Sequence, residues 1–477
     1  MASAFHIENF GCRAARADGE AVGDRLRAAG HSIGPATEAE VVIVNTCSVT
    51  AEADRSARAF IRRVHRVNPE AQILVTGCYA QRAPEELASL PGVAAVVGNS
   101  HKALAPAIAM DLARGTSPGS GVDTPAELVP IRSLLAGNGL ASIWADDHFA
   151  HSFLEEAQLV PGTQTRPNLK IQEGCSNRCT FCVIPQTRGS SRSLAATAVL
   201  RQVAGFVAAG GKELVLSGIN LGRWGRDLSP AASLPRLLRR IFRETDLPLL
   251  RLSSIEPMDW DAELIGVMRE FGGTRLARHA HLPLQSGSDA VLRRMHRRYR
   301  PWHYAEKAAA LVDAAGPELT LGADVMVGFP GESEQEFDET CGFIRTLPFG
   351  YLHLFPFSPR PGTRGWSLHA ESPVPAKAVE ERMAVLRALS IEKSETHRRW
   401  FIGKEVDAIT LHTPPGVQAL GRTTALTENF LPLQIDSHLG PNRLVRVQVR
   451  TVDSDLTLRA TVPYTLPDLS LAIEMSV

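Results

Sequence analysis

Between residues 169 and 355 the chain repeats one pattern six times: an apolar run short enough for a buried strand, then an amphipathic stretch at helical spacing. The runs fall at 169–172, 214–217, 249–253, 279–284, 319–327 and 351–355. Strands that alternate with helices in this way pair in parallel, so six units predict a parallel barrel, complete or partial. In the first unit Leu200, Val203, Phe206 and Val207 share the inward helix face, and Gly210 with Gly211 stops the helix.

The flanks read differently. In the first hundred residues a run at 41–44, helical spacing of Ala57, Phe60, Ile61 and Val64, and a run at 73–75 give a βαβ domain. Arg55, Arg58, Arg62 and Arg66 fall opposite that apolar stripe and read as a solvated face before a nucleic-acid footprint. From 113 to 165 the Gly, Ser and Pro-rich texture of RGTSPGSGVDTP and PGTQTRPN predicts a linker, although ELVPIRSLLAGNGLASIW within it can pack. After Phe401 the period becomes two. Val445, Val447 and Val449 alternate with Arg446, Gln448 and Arg450, as in a small β-barrel with one basic face. The expectation is an α/β chain divided into 1–112, a linker at 113–165, a barrel at 166–400 and a β domain at 401–477. At 477 residues it exceeds what one core organises.

No apolar stretch approaches the roughly 18 residues that a membrane span needs, and MASAFHIENFGC has no basic and then apolar leader pattern. A cytoplasmic protein with no membrane partner is expected. Lys plus Arg (51) cancel Asp plus Glu (51), so any polyanion must be met by local patches. Seven cysteines are too few for a disulfide scaffold of this length and point to metal ligation or isolated thiols.

Cys175, Cys179 and Cys182 stand in C-x3-C-x2-C spacing in the loop after the first barrel strand. A tight loop can bring three thiolates to separate irons of a cubane, whereas structural zinc asks for four closed ligands, and no fourth cysteine or suitably spaced histidine follows. Three thiolates leave one iron open, on the face where barrels perform chemistry. Cys47 and Cys78 each follow a strand run, and Cys12 ends a short segment, so a parallel sheet can gather all three at one edge. On the residues alone, three buried structural thiols remain the alternative reading. Cys341, in EQEFDETCGFIRTL, is expected to pack as a small hydrophobe.

The triple-cysteine loop, followed by IPQTRGSSRS, resembles the radical S-adenosylmethionine superfamily. The resemblance implies that the open iron chelates S-adenosylmethionine and that one electron cleaves it to a 5′-deoxyadenosyl radical. Gly210, Gly211 and Glu213 resemble the superfamily's glycine-glycine-glutamate element with Lys212 inserted, which implies Glu213 on the cofactor's amino group; a plain helix stop is the other reading. Together with VNTCSVT, TGCYAQ, SGINLGRWG, RLSSIEP, HLPLQSGSD, DVMVGFPGE and FPFSPRPGT in order, nearly the whole chain resembles the methylthiotransferases. These carry a three-cysteine domain, a radical S-adenosylmethionine domain and an RNA-binding module called TRAM. Two [4Fe-4S] clusters are implied, on Cys12, Cys47 and Cys78 and on Cys175, Cys179 and Cys182. Ser254, Glu256 and Gln285 are implied as further S-adenosylmethionine contacts, with no side chain acting as general acid or base. The chain departs from the family pattern after Cys12, and Asp18 or Glu20 is expected to replace the polar support normally found there.

The family divides among tRNA threonylcarbamoyladenosine-37, tRNA isopentenyladenosine-37 and a ribosomal-protein aspartate. VNTCSVTAEADR, HLPLQSGSDAVLRRMHRRYR and GRTTALTENFLPLQI most resemble the first branch, so methylthiolation at C2 of that adenosine in the anticodon loop is expected, the other two substrates being the alternatives. Arg293, Arg294, Arg297, Arg298 and Arg300 form a basic cluster, read as an RNA contact or a solvated helix face. Arg446 and Arg450, with Phe430 for stacking, complete the expected RNA surface. An electron donor such as flavodoxin or ferredoxin is expected as a partner.

Overall fold

The computed structural model describes residues 4–119, 141–149, 151–152 and 165–462. The N-terminal domain is a six-stranded parallel sheet in the order β2-β1-β3-β4-β5-β6. Its strands are β1 (Ala4–Asn9), β2 (Ser32–Ile33), β3 (Val41–Thr46), β4 (Gln72–Gly77), β5 (Val93–Gly98) and β6 (Ser142–Trp144). Every residue of β3 is buried because helices cover both faces. Val42 and Val44 pack with Ala57, Phe60, Ile61 and Val64 of the helix Ala51–Val67, which Thr50 caps by accepting from the Ala53 amide. Val41 and Ile43 pack on the other side, with residues of the helices Arg13–Ala28 and Ala105–Ala113. β6 lies inside the span expected to be a linker. Trp144 is buried against the Ala105–Ala113 helix, so this part of the segment belongs to the sheet. The rest of the expected linker at 120–140, 150 and 153–164 lies outside the described residues.

The six expected barrel strands are present as β7 (Asn168–Glu173), β9 (Glu213–Gly218), β10 (Leu249–Leu252), β11 (His279–His281), β12 (Thr320–Val327) and β13 (Phe349–Pro356); a two-residue β8 (Arg192–Ser193) pairs antiparallel to β7. β10-β9-β7 and β11-β12-β13 are each parallel, and the amide of Leu250 on Arg275, of Ala277 on Leu250 and of Ile255 on His281 stitch the two sheets together. The result is a partial (βα)6 barrel over one core running from Leu169 to Leu389. β11 is shorter than expected, but Leu282 and Leu284 still donate to Gly322 and Asp324, and Gln285, at φ +64, still bridges β12 at Val325.

The C-terminal domain is a closed barrel in the order β14-β15-β16-β18-β17, from β14 (Glu405–Thr410), β15 (Thr423–Thr427), β16 (Pro432–Ile435), β17 (Leu444–Val452) and β18 (Leu458–Thr461). Val447 and Val449 point into its core, while Arg446 and Arg450 are exposed. The turn between β15 and β16 seals the barrel beside the starts of β11 and β12. The Glu428 carboxylate accepts from the Arg278 amide at 2.8 Å and its Nε at 2.7 Å, and Asn429 donates to the Glu318 carbonyl. Phe430, at φ +77, stacks 4.5 Å from His279 and lies under the guanidinium of Arg251. It therefore forms the floor of the barrel lumen, which corrects its expected role as an RNA-stacking surface. Among the described residues no helix is long and apolar enough to cross a membrane.

Candidate active site between two cysteine triads

Cys175 follows β7 by two residues, and the loop is pinned by the Cys175 amide on the Gly189 carbonyl and the Thr180 amide on the Met295 carbonyl. Its sulfurs collect donors: the Asn177 amide (3.4 Å) and Asn220 Nδ2 (3.6 Å) on Cys175, and Arg297 Nη1 (3.2 Å) on Cys179. Burial pushes the Cys182 thiol up to about 12, with Cys179 and Cys175 adding to the rise, so the three sulfurs share one neighbourhood. Donors aimed at sulfur stabilise the thiolate form that iron requires. Arg297 also grips Glu256 at 2.6 Å and is 7% exposed. It serves the cysteine loop and is withdrawn from the expected RNA surface, as is Arg294, whose fork is taken by Glu336 at 2.8 and 2.7 Å. Arg293 and Arg298 are exposed.

The second triad gathers at the C-terminal edge of the N-terminal sheet, Cys47 after β3, Cys78 after β4 and Cys12 at the start of the helix Arg13–Ala28. Close approach here demands glycine. Gly11 has φ +113, and a Cβ on it would stand 2.5 Å from the Cys47 Cβ; Gly77 has φ +99, and its Cβ would meet the Thr46 carbonyl at 2.3 Å. Burial pushes the Cys47 thiol up to about 12, and Cys78 and then Cys12 push it in the same direction. Asn99 Nδ2 (3.4 Å) and Arg188 Nε (3.2 Å) donate to the Cys78 sulfur.

Arg188 belongs to a buried charge network. Its Nη1 reaches Asp18 at 3.1 Å and Glu173 at 2.7 Å, Lys102 reaches the same two carboxylates at 2.9 and 2.7 Å, and Lys170 pairs with both. Asp18 is thus the acid that supports the altered segment after Cys12, whereas Glu20 pairs with Arg16 on the surface. Because Glu173 ends β7 two residues before Cys175, the network runs from a sulfur of one triad to the loop of the other. Arg188, Asn99 and Asn220 were not anticipated from sequence. Arg188 and Asn220 lie inside IPQTRGSSRS and SGINLGRWG, so the signal was local, but nothing in either string says which sulfur is served.

A cavity of about 400 Å³ is lined by Cys12, Arg13 and Val49 from one domain and by Ser217, Ser254 and Asp324 at the barrel mouth, while Cys175, Cys179 and Cys182 line a second one of about 580 Å³. Ser254 Oγ meets His281 Nδ1 at 2.6 Å, and His281, Asp324 and His353 bring ligand-type atoms within 4.8 Å of one another. Ser217 Oγ, Asn220 Oδ1, Ser253 Oγ and Gln285 Oε1 are buried without hydrogen-bond partners, which suits a polar cofactor with many donors and acceptors. Ser254 and Glu256 follow the C-terminal end of β10 and Gln285 that of β11, and Glu256 is tied to the cysteine loop through Arg297. Glu213, Gly210 and Gly211 do not. β9 begins at Glu213, and it is the opposite end of these six residues, about 16 Å away, that leads to Asn220 and Cys175. Glu213 is fully buried against Arg251 at 2.8 Å, and the amides of Gly210 and Gly211 close the preceding helix on Val207 and Phe206. The helix-stop reading holds for the two glycines, and Glu213 is structural.

Residues 4–98 match the family described as Uncharacterized protein family UPF0004, and residues 169–344 match the Radical SAM superfamily. A protein named Threonylcarbamoyladenosine tRNA methylthiotransferase MtaB from Aquifex aeolicus is 33% identical, over 93% of this chain and 99% of its own. One of the same name from Bacillus subtilis is 34% identical, over 90% and 89%. Among solved structures, the radical S-adenosylmethionine methyltransferase TsrM from Kitasatospora setae aligns with TM-score 0.49 and 14% identity, over 75% of each chain.

Proposed function

The chain belongs to the methylthiotransferases of the radical S-adenosylmethionine superfamily, and from that premise we propose that it converts N6-threonylcarbamoyladenosine-37 of tRNA to its 2-methylthio derivative. The observation that carries the reading is the pair of cysteine triads, one from each domain, tied together by the buried network that runs from Arg188 on the Cys78 sulfur to Glu173, two residues before Cys175. When bound, two [4Fe-4S] clusters and S-adenosylmethionine supply the electron, the hydrogen-abstracting radical, the sulfur and the methyl group.

The side chains do the rest. Arg188 and Arg297 hold negative charge on the thiolates of Cys78 and Cys179. Ser254, Glu256 and Gln285, with the unpartnered Asn220 oxygen, are assigned to S-adenosylmethionine. Phe430 closes the lumen floor against water. Arg293, Arg298, Arg446 and Arg450 are assigned to tRNA phosphates, each on an exposed face. A flavodoxin or ferredoxin as electron donor and a cytoplasmic setting complete the proposal.

Given tRNA bearing threonylcarbamoyladenosine, tRNA bearing isopentenyladenosine and the ribosomal-protein substrate in parallel, the reconstituted enzyme should methylthiolate the first alone at an appreciable rate, read by nucleoside and peptide mass spectrometry. Preference for isopentenyl tRNA would keep the chemistry and overturn the substrate; turnover of the protein would overturn the RNA surface as well. A second expectation concerns Gly11. Gly11→Ala should lower iron from about eight to about four per chain and abolish methylthio product, yet leave reductive cleavage of S-adenosylmethionine intact. Full iron in that variant would show that the triad does not need this close approach.

A further inference from the structure

Arg13 follows the first cysteine of the N-terminal triad, and its side chain lines the cavity. Its guanidinium carbon sits 5.3 Å over the Phe430 ring, and among the described residues it has no hydrogen-bond or ion-pair partner. A half-buried guanidinium with no acceptor gains from an anion brought beside it. Its surroundings supply one carboxylate, Glu213, and that one is shared. Arg251 and Arg166 already share the one carboxylate of Glu213, at 2.8 and 3.8 Å, and Arg251 Nη1 is itself buried without a partner. Asp324, the one carboxylate among the residues lining the cavity, is held between His281 and His353 at 3.3 Å each. The lumen floor therefore carries three guanidinium groups against one carboxylate, and one of the three, Arg13, follows Cys12 in the chain.

We propose that Arg13 is the specificity-determining residue of this enzyme, its guanidinium receiving the carboxylate that the threonylcarbamoyl substituent carries on N6. The inference rests on the substrate reading above. It follows from chemistry: of the two tRNA substituents, threonylcarbamoyl brings a carboxylate and isopentenyl brings none, so the latter leaves Arg13 without a partner. A site built around a charged hydrogen bond rejects an analogue lacking that partner far more strongly than an apolar pocket rejects an extra group. The chain order also fits. With Cys12 and Arg13 adjacent, a base that turns C2 towards the cysteine triad can extend its N6 substituent along the arginine side chain to the floor.

The test uses anticodon stem-loops bearing threonylcarbamoyladenosine or its methyl ester, with binding read by fluorescence anisotropy on the reconstituted full chain without reductant. Wild type should bind the acid about 100-fold more tightly than the ester. Arg13→Met should bind both at the ester's level while keeping full iron, and Arg13→Lys should recover much of the preference. Equal binding of acid and ester by wild type overturns the proposal whatever the variants do, as does an Arg13→Met protein with full iron that keeps the preference. Should Arg13→Met lose iron, the acid-to-ester ratio of wild type and of Arg13→Lys decides. If wild type methylthiolates isopentenyl tRNA instead of threonylcarbamoyl tRNA, the substrate reading falls first; product on threonylcarbamoyl tRNA with no acid preference removes the role of Arg13 alone.

Discussion

Replacing Cys175, Cys179 and Cys182 together by alanine should abolish reductive cleavage of S-adenosylmethionine while about four of about eight irons remain. The expectation of a clean half-loss comes from where the ligands stand. One triad sits on a single loop between β7 and the Ile184–Arg188 helix, the other on the edge of a separate six-stranded sheet. No sulfur is shared, and each triad has its own arginine donor, Arg297 on Cys179 and Arg188 on Cys78. The mirror variant, Cys47→Ala, should keep 5′-deoxyadenosine release and make no methylthio product, because only the sulfur-bearing triad is then disrupted. Cleavage above a few per cent of wild type in the triple variant, with its remaining irons confirmed by Mössbauer spectroscopy, would falsify the division of roles.

The barrel was legible because a parallel strand covered on both faces is a continuous apolar run; the run expected at 319–327 forms β12 at Thr320–Val327. β6 and β8 were not legible, since three and two residues give no period to read. The two groupings of cysteines were legible for two reasons: one is a local spacing, and the others follow strand runs whose ends a parallel sheet must align. What failed was any inference that needed direction or face. Glu213 matched an acid after two glycines, but a strand has two ends, and the match fell at the one far from Cys175. RRMHRRYR is a run of charge in sequence, yet Arg297 is buried and holds Cys179 while Arg298, its neighbour, is exposed. Phe430 reaches His279 across a domain boundary, and neither residue carries a local mark of the other.

Glu173→Ala should destabilise the metal-free protein by about 3–5 kcal/mol in chemical denaturation, because it removes one of two carboxylates from a buried set of three cations. Asp18, Lys102, Lys170, Glu173 and Arg188 are each 8% exposed or less, so solvent cannot take up the charge left behind. The acid dependence has a fixed sign. Burial pushes the Glu173 carboxyl up, but Arg188, Lys102 and Lys170 outweigh it and hold the group well below its usual 4.5; Asp18 is lowered in the same way. A carboxyl with a depressed folded value gives stability that is present above about pH 4.5 and lost as pH falls through the folded value. Wild type should therefore lose stability steeply below about pH 4.5, and Glu173→Ala should show a flatter acid limb. Arg188 links this to function. Freed from Glu173, it keeps only Asp18 to orient its Nε on the Cys78 sulfur, so the variant should also lose methylthio product faster than it loses reductive cleavage. A cost under about 1 kcal/mol would mean that the network is screened like a surface pair and that the two triads are not positioned through it.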